Sequence, residues 1–210
     1  MMELIVKIIL SYLLGSVSGS LLVGRLKKVD IREQGSGNAG GTNAFRTQGF
    51  RFALGVVVID IGKGALAAWG VPLLPLGADA VSPAVLAMAC GFAAVIGHCY
   101  PVWYGFRGGK GAATAVGALA VIQPLVLIPM FLVWVLTLVV TGWVGLATIL
   151  SGLSLVPAFA VFDPSRAHLV FAVLLALFIV FTHRENIARL RNGTENRFEG
   201  IRIVNWFRRD

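Results

Sequence analysis

The chain has 210 residues, of which 57% are apolar and only 13% are charged, and its formal net charge is +8. Soluble proteins carry about twice this share of charged residues, so the composition excludes a soluble globular domain and indicates a multi-pass membrane protein. Basic cytoplasmic loops account for the positive charge, because the sequence lacks the basic helix or aromatic-rich basic patch of a nucleic-acid-binding protein. We therefore expect no nucleic-acid partner.

Seven apolar stretches are candidate membrane spans, since a helix needs about 20 residues to cross the hydrocarbon core. The first has no basic segment before it and no clear cleavage site after it, which predicts a retained span rather than a signal peptide. The stretch 111–162 is divided into three, with turns near Gln123-Pro124 and Thr141-Gly142 and a middle helix that begins nearer Leu125. Five or six spans remain alternatives. The predicted spans are 4–24, 52–76, 83–103, 112–128, 129–141, 143–162 and 167–182.

Lysine and arginine residues are concentrated in three segments and nearly absent from the connections between them. Cytoplasmic loops of membrane proteins are enriched in these residues. The pattern predicts an N-terminus outside and a C-terminus in the cytoplasm, as an odd number of spans requires. The basic segments are 25–51, 105–110 and the tail after 182, whereas the connections 77–82, 123–124 and 163–166 contain only Asp79, Asp163 and Arg166 as charges.

The first polar segment, Gln34–Arg46, combines four glycines with many hydrogen-bonding side chains. Its Gly35–Gly40 stretch matches G-x-G-x-x-G, but a dinucleotide site needs that motif between a strand and a helix, and here a membrane span follows. A flexible linker is the simpler alternative, although a linker does not need so many polar side chains. We predict a ligand-binding segment, with Ser36, Asn38, Thr42, Asn43 and Arg46 as the candidate residues.

The second polar segment, 105–111, contains Gly108-Gly-Lys-Gly111. A Walker A motif would require glycine at 104 and serine or threonine at 111, so Tyr104 and Gly111 argue against ATP binding. Successive backbone N–H groups can form an anion-binding nest, and the helix predicted from Ala112 would add the positive end of its dipole. The alternative is an ordinary basic turn. We predict that Gly108, Gly109 and Gly111 bind a phosphate, with Lys110 as a point charge.

The third polar segment, Thr182–Arg189, lies where the last predicted span ends. His183 and Asn186 are three residues apart, so on a helix they share a face. His183 is a candidate general base or phosphate ligand, or else an interfacial residue, and the neighbouring Asn186 favours a role in a site. The other arginines of the tail are expected mainly to contact lipid headgroups or set topology. They include Arg189, Arg191 and Arg197.

Two charged residues, Asp60 and Lys63, lie three positions apart inside the second predicted span. Charges within a membrane usually face a cavity or a partner, so both a polar cavity and a structural ion pair fit. His98, near the predicted cytoplasmic interface, is expected to form hydrogen bonds that support the site. The histidines, cysteines and carboxylates lack metal-ligand spacing, and we therefore expect no metal and no cofactor.

The three polar segments, in this order and spacing, resemble the bacterial acyl-phosphate:glycerol-3-phosphate acyltransferases, the PlsY family. The resemblance extends over nearly the whole chain. One departure is Thr141-Gly-Trp-Val-Gly-Leu146, where the family commonly has Thr-Arg-Tyr-Val-Ser-Leu, so Gly142 and Gly145 replace an arginine and a serine. The matching motifs are Asp30-Ile-Arg32, Gly35–Asn43 with Arg46, Asp60–Gly64, Gly97-His98, Pro101, Gly108–Gly111, His183–Leu190 and Gly193–Asn196.

The resemblance implies a single domain over residues 1–210, an all-α protein of about seven transmembrane helices in the bacterial inner membrane, with its polar site on the cytoplasmic side. It implies transfer of a fatty acyl group from acyl phosphate to the 1-hydroxyl of sn-glycerol 3-phosphate. The products would be lysophosphatidic acid and phosphate, in the first acylation of phospholipid synthesis. The chain also lacks the H-x-x-x-x-D motif of another acyltransferase class, because Trp103, Val173 and Ala188 follow its histidines at that spacing.

The reaction requires two anionic substrates to be held together, with the hydroxyl near the carbonyl carbon. We expect Lys110, His183, Asn186 and Ser36 to be catalytic, with Lys110 and the glycine loop on acyl phosphate and Arg46, Ser36, Thr42 and His183 on glycerol 3-phosphate. Asn186 would orient the hydroxyl, and either His183 or a substrate phosphate would take its proton. Membrane lipid is the expected surrounding partner, and a monomer is the simplest assembly. A transporter of phosphorylated solutes is the main alternative, and a scaffold is a weaker one.

Overall fold

The computed structural model describes residues 2–76, 81–199 and 203. Throughout these residues the chain forms helices and turns and no strand. The connection around Asp79 and the tail arginines 202, 208 and 209 lie outside the described residues. The chain divides into two compact units, Met1–Pro124 and Leu125–Asp210. The expectation of a single domain stays a prediction.

The described part of the first unit contains six α-helices, whose small residues allow close packing. Gly64 of the fourth helix lies against the backbone of Thr114, and Gly117 lies against the backbone of Ile61, so a methyl group at either glycine would overlap the partner helix. Such small residues are typical of helix packing in membranes, where backbones approach closely. The helices are α1 Met2–Gly15, α2 Gly19–Lys27, α3 Gly41–Gln48, α4 Phe50–Trp69, α5 Pro83–Cys99 and α6 Ala112–Ile122.

The described part of the second unit contains five α-helices, of which α8 packs on α7, α10 and α11. Gly142 closes the first of them with a φ of 76°, a left-handed conformation that favours glycine, so the arginine common in the family would be strained at this turn. The last two helices meet at a bend of 54°. The helices are α7 Leu127–Thr141, α8 Val144–Leu153, α9 Leu155–Phe162, α10 Arg166–Thr182 and α11 Arg184–Arg191.

Within residues 2–76, 81–199 and 203, five helical stretches are long and apolar enough to cross a membrane, and the bent pair α10 and α11 makes a sixth if it is counted as one span. The predicted turns near Gln123-Pro124 and Thr141-Gly142 are confirmed. The middle helix was predicted to begin nearer Leu125, and α7 begins two residues later at Leu127, directly after the short helical turn Pro124–Val126. The predicted span 112–128 is wrong in extent, because α6 ends at Ile122 before the proline turn. Its 11 residues are too few to span the hydrocarbon core. The count of seven spans stays a prediction.

Candidate active site

Asn43 organises the first polar segment. Its side chain is only 1% exposed, and its Oδ1 accepts a hydrogen bond from the backbone N–H of Ser36 at 2.9 Å. Its Nδ2 donates to the carbonyls of Ile31 at 3.1 Å and Gln34 at 2.9 Å. The amide thereby uses both donors to hold the turn, since a side-chain amide has two N–H groups. Asn43 shapes this segment, and its predicted contact with substrate stays a prediction.

Ser36 lies exposed on the turn that Asn43 holds. The two residues beside it, Gly35 and Gly37, have φ values of 56° and 70°. Other residues rarely adopt this left-handed conformation, so both glycines are needed for the turn. The turn thereby keeps Ser36 accessible at the surface of the first unit.

The second half of the first polar segment is helical, which the sequence analysis did not predict. Helix α3 begins after Gly40 without a side-chain cap, and it places Thr42 in its first turn and Arg46 in its last. The first N–H groups of a helix lack intrahelical partners and attract anions. Thr42 is half-buried, as is Asn38 before the helix, whereas Arg46 is exposed. The polar residues from Gly41 to Arg46 therefore belong to a regular helix and not to a long loop.

Arg32 connects the first polar segment to the second. Its Nε and Nη2 donate to the Asp30 carboxylate at 3.0 Å and 2.7 Å. Its Nη1 donates to the carbonyls of Tyr104 at 3.1 Å and Arg107 at 3.3 Å. The hydrogen bond from Arg32 lowers the pKa of Asp30 below its ordinary value of 3.8. Asp30 and Arg32 therefore hold the chain that leads into Gly108–Gly111.

We expect Asp30→Asn to lower the melting temperature of the purified protein by about 2–4 °C at pH 7, the scale of losing one partly exposed ion pair of about 1 kcal/mol. Because the Asp30 pKa is lower in the folded protein than in the unfolded chain, its stabilisation is present above the ordinary value of 3.8 and is lost as the pH falls below it. The difference between wild type and variant, followed by thermal unfolding in detergent, should therefore shrink below about pH 4. A difference that persists unchanged at pH 3 would contradict this account.

The glycine loop Gly108–Gly111 differs in part from the predicted anion nest. The N–H groups of Gly108 and Gly109 donate to the carbonyls of Cys99 at 3.2 Å and His98 at 3.1 Å, so the prediction that they line a nest is wrong. These bonds instead fasten the loop to the end of α5. The predicted helix start is confirmed, because α6 begins at Ala112 after Gly111, which has a φ of 88°. The N–H groups at the start of α6, next to the half-buried Lys110, are the ones whose position suits an anion, and anion binding here stays a prediction.

His183 lies at the bend between α10 and α11 in the second unit, and it is 5% exposed. Its Nδ1 is 2.8 Å from the carbonyl oxygen of Ile179. A carbonyl only accepts hydrogen bonds, so Nδ1 must carry the hydrogen, and Nε2 of the neutral ring is the basic nitrogen. This tautomer suits a residue that accepts a proton through Nε2.

Glu195 was missed as a site residue by the sequence analysis. Its Oε1 accepts a hydrogen bond from Nδ2 of Asn186 at 2.6 Å, and its Oε2 accepts one from Nε of Arg189 at 2.7 Å. The carboxylate fixes the Asn186 amide so that Nδ2 faces Glu195 and Oδ1 is the acceptor on the other side. The place of Glu195 in the Gly193–Asn196 motif, between Arg191 and Arg197, was the available signal. Arg189 is thus a partner of Glu195, and Arg197 stacks on the Trp143 ring at 4.2 Å.

Gly145 of α8 lies directly against the side chain of Asn186. A methyl group added to Gly145 would approach Nδ2 of Asn186 to 2.5 Å and its Cβ to 2.9 Å. We expect Gly145→Ala to lower kcat/KM about tenfold, because displacing a reacting group by a fraction of an ångström is costly in catalysis. Gly62→Ala is the matched control, since a methyl group there meets nothing within 4 Å. Equal kcat/KM values for the two variants would contradict this role of Gly145.

Asp60 and Lys63 form the ion pair that their spacing allows, with Nζ 2.9 Å from Oδ1. Both side chains are buried, and His98 contacts them from α5. Among the residues that the structure describes, no three histidines, cysteines or carboxylates are arranged to hold a metal ion. The expectation of a metal-free enzyme stays a prediction.

Comparison with known proteins agrees with the motifs. A family model for glycerol-3-phosphate acyltransferase matches residues 5–193. The glycerol-3-phosphate acyltransferase of Chlorobium luteolum is 38% identical over 94% of this chain and 97% of its own length. Glycerol-3-phosphate acyltransferase 2 of Bacillus anthracis is 40% identical over 92% of this chain and 98% of its own.

Solved structures show the same fold. A crystal structure of PlsY, an integral membrane glycerol 3-phosphate acyltransferase, in its glycerol 3-phosphate form is 36% identical, with a TM-score of 0.82 over 93% of this chain and 95% of that one. The lysophosphatidic acid form of PlsY has the same TM-score at 34% identity, over 96% and 98% of the two chains. The resemblance inferred from the polar segments is thereby confirmed, and the chain belongs to the glycerol-3-phosphate acyltransferase family.

Proposed function

We propose that this enzyme transfers a fatty acyl group from acyl phosphate to the 1-hydroxyl of sn-glycerol 3-phosphate, giving 1-acyl-sn-glycerol 3-phosphate, which is lysophosphatidic acid, and inorganic phosphate. The observation that carries the proposal is Lys110 beside the N-terminus of α6, a cation next to N–H groups that favour a phosphate. The glycerol 3-phosphate and lysophosphatidic acid forms of the related PlsY support the acceptor and the product.

Lys110 and the start of α6 bind the phosphate of the acyl donor. Acyl phosphate is a mixed anhydride, and its carbonyl carbon is attacked directly by the hydroxyl oxygen. The C–O bond to phosphate breaks as the new ester bond forms, and the phosphate leaves with the bonding electrons. Lys110 offsets the charge that develops on this leaving group. Gly109 and Gly108 keep Lys110 in place through their bonds to the end of α5.

Glycerol 3-phosphate is bound by cations and hydroxyl groups. Arg46 contacts its phosphate as the exposed cation at the end of α3, and Ser36 and Thr42 add hydroxyl groups. Asn38 and the backbone turn held by Asn43 complete this part of the binding surface.

His183 and Asn186 act on the attacking hydroxyl. Asn186 accepts a hydrogen bond from it through Oδ1, in the orientation that Glu195 fixes. His183 binds the acceptor, and its Nε2 receives the proton unless a substrate phosphate does so. No covalent acyl-enzyme is needed, because acyl phosphate already has a good leaving group.

The proposed setting is the bacterial inner membrane, with seven spans, an N-terminus outside and a C-terminus in the cytoplasm. The family's integral membrane structures and the apolar helices support a multi-pass protein. The basic segments support the orientation, since positive residues favour the cytoplasmic side. The soluble substrate glycerol 3-phosphate would then enter from the cytoplasm, while the acyl chain stays in lipid.

Purified protein in detergent, given labelled glycerol 3-phosphate and one acyl donor at a time, tests the proposal. We expect labelled lysophosphatidic acid from palmitoyl phosphate and none from palmitoyl-CoA or palmitoyl acyl carrier protein. Efficient transfer from either thioester, with none from the acyl phosphate, would overturn the proposed donor. Uptake of the label into sealed vesicles without acylation would instead favour a transporter.

A further inference from the structure

A cluster of buried polar side chains lies where α4 and α5 pack together. Lys63 Nζ is 2.9 Å from Asp60 Oδ1 and 2.9 Å from His98 Nδ1, and it donates a third hydrogen bond to the carbonyl of Val17 at 2.7 Å. The Asp60 Oδ1 also accepts the N–H of Gly19 at 3.1 Å. The three side chains are at most 5% exposed. Apolar residues of similar volume would often stabilise a protein core equally well, so stability alone does not account for this cluster.

His98 connects the cluster to the glycine loop. The ammonium group of Lys63 has only donors, so Nδ1 of His98 accepts and the hydrogen of the neutral ring lies on Nε2. The Nε2 edge faces Gly109, because a methyl group added at Gly109 would overlap this nitrogen. The carbonyl of His98 also accepts the Gly109 N–H at 3.1 Å. Side chain and main chain of His98 therefore both contact the residue before Lys110.

We propose that Asp60, Lys63 and His98 are positioning residues that determine the conformation of the Gly108–Gly111 loop and thereby the location of Lys110. Asp60 and Lys63 hold one edge of the imidazole ring, and the other edge supports Gly109. The cluster thus acts on catalysis through the loop and does not touch substrate. The inference rests on the proposed function only in naming acyl phosphate as the ligand of this loop.

Two substitutions of His98 distinguish the roles of the two edges of its imidazole ring. Asparagine at position 98 keeps a polar atom near the position of Nδ1 but removes the edge of the ring that lies against Gly109. Glutamine instead keeps a polar atom near the position of Nε2. We expect His98→Asn to raise the KM for acyl phosphate at least about fivefold, the scale of one weakened hydrogen bond, and to leave the KM for glycerol 3-phosphate unchanged. His98→Gln should raise it less. Loss of folded protein alone would lower kcat and leave both KM values unchanged, and that result would overturn the proposal.

Hydrogen–deuterium exchange gives a readout that needs no substrate. In His98→Asn, peptides covering 105–111 should exchange at least about tenfold faster than in wild type, because the bond of the Gly109 N–H is loosened. Unchanged exchange in this segment would overturn the positioning role even if activity falls. If wild type fails to use acyl phosphate, the proposed function fails, and the exchange experiment still decides this inference.

A second variant and a control complete the test. Asp60→Asn keeps the size of the side chain and weakens its interaction with Lys63. Like His98→Asn, it should raise the KM for acyl phosphate and the exchange rate of segment 105–111. It decides the matter if His98→Asn does not fold. His168→Asn is the matched control, since this buried histidine also lies beside an aspartate, with Nδ1 3.2 Å from Asp163 Oδ1, and we expect wild-type KM values and wild-type exchange at 105–111. Equal effects of the control and the His98 variants would overturn the proposal.

Discussion

Lys110→Ala is expected to lower kcat/KM at least about a hundredfold, the scale of removing one group that stabilises transition-state charge. Lys110 lies two residues before Ala112, the first residue of α6, and the backbone N–H groups at the start of this helix favour an anion. Its ammonium group adds the full positive charge that the leaving phosphate needs as the anhydride bond breaks. The loss should appear in kcat as well as in the KM for acyl phosphate, and steady-state kinetics with each substrate varied will measure both.

Arg107→Ala is the matched control for Lys110→Ala. Arg107 carries the same charge in the same polar segment, but its side chain is exposed, and its backbone carbonyl accepts a hydrogen bond from Arg32. We expect its kcat/KM to stay within about threefold of wild type, since exposed charges contribute little. Near-normal rates for Lys110→Ala, or equal losses in the two variants, would refute the role assigned to Lys110.

His183→Ala is also expected to lower kcat/KM at least about a hundredfold, within the range for a positioned acid–base or charge-stabilising group. The ring donates from Nδ1 to the Ile179 carbonyl, so Nε2 is the basic atom that would act on the acceptor substrate. The loss should therefore be accompanied by weaker binding of glycerol 3-phosphate and not of acyl phosphate. Kinetics with glycerol 3-phosphate as the varied substrate will measure it.

Asparagine and glutamine substitutions at position 183 distinguish a structural role of His183 from a role in the reaction. His183→Asn can retain the donor to Ile179 and loses Nε2, so we expect it to fold normally and to be about as inactive as His183→Ala. His183→Gln places a polar atom near Nε2 and should retain more activity. If His183→Asn is active while His183→Ala is not, then His183 serves the bend between α10 and α11 and not the reaction.

The polar segments could be found from sequence because glycines and charges stand out in an apolar chain. The same contrast located the turns at Gln123-Pro124 and Gly142, where proline and left-handed glycine end helices. The extent of the helices was harder to predict. Apolar composition runs on past Ile122, and only the backbone geometry shows that α6 ends there.

Hydrogen-bond partners were the part of the site that sequence could not supply. Asn43 looks like a ligand-binding residue in a polar motif, yet it is buried and bonded to Ser36, Ile31 and Gln34. Glu195 looks like a tail residue, yet it holds Asn186. The contacts of Asn43 and Glu195 join residues that are distant in sequence or lie across a turn. Residue type alone does not determine which side chains meet.

Product analysis of a single purified-enzyme reaction tests the central claim most directly. Lysophosphatidic acid and inorganic phosphate are quantified together after incubation with palmitoyl phosphate and glycerol 3-phosphate, in the presence of a metal chelator. We predict that wild type forms the two products in equal amounts and that the chelator has no effect. In Lys110→Ala, neither product should form in excess of the other. Phosphate release without lysophosphatidic acid, or no acylation by folded wild-type protein, would contradict the account.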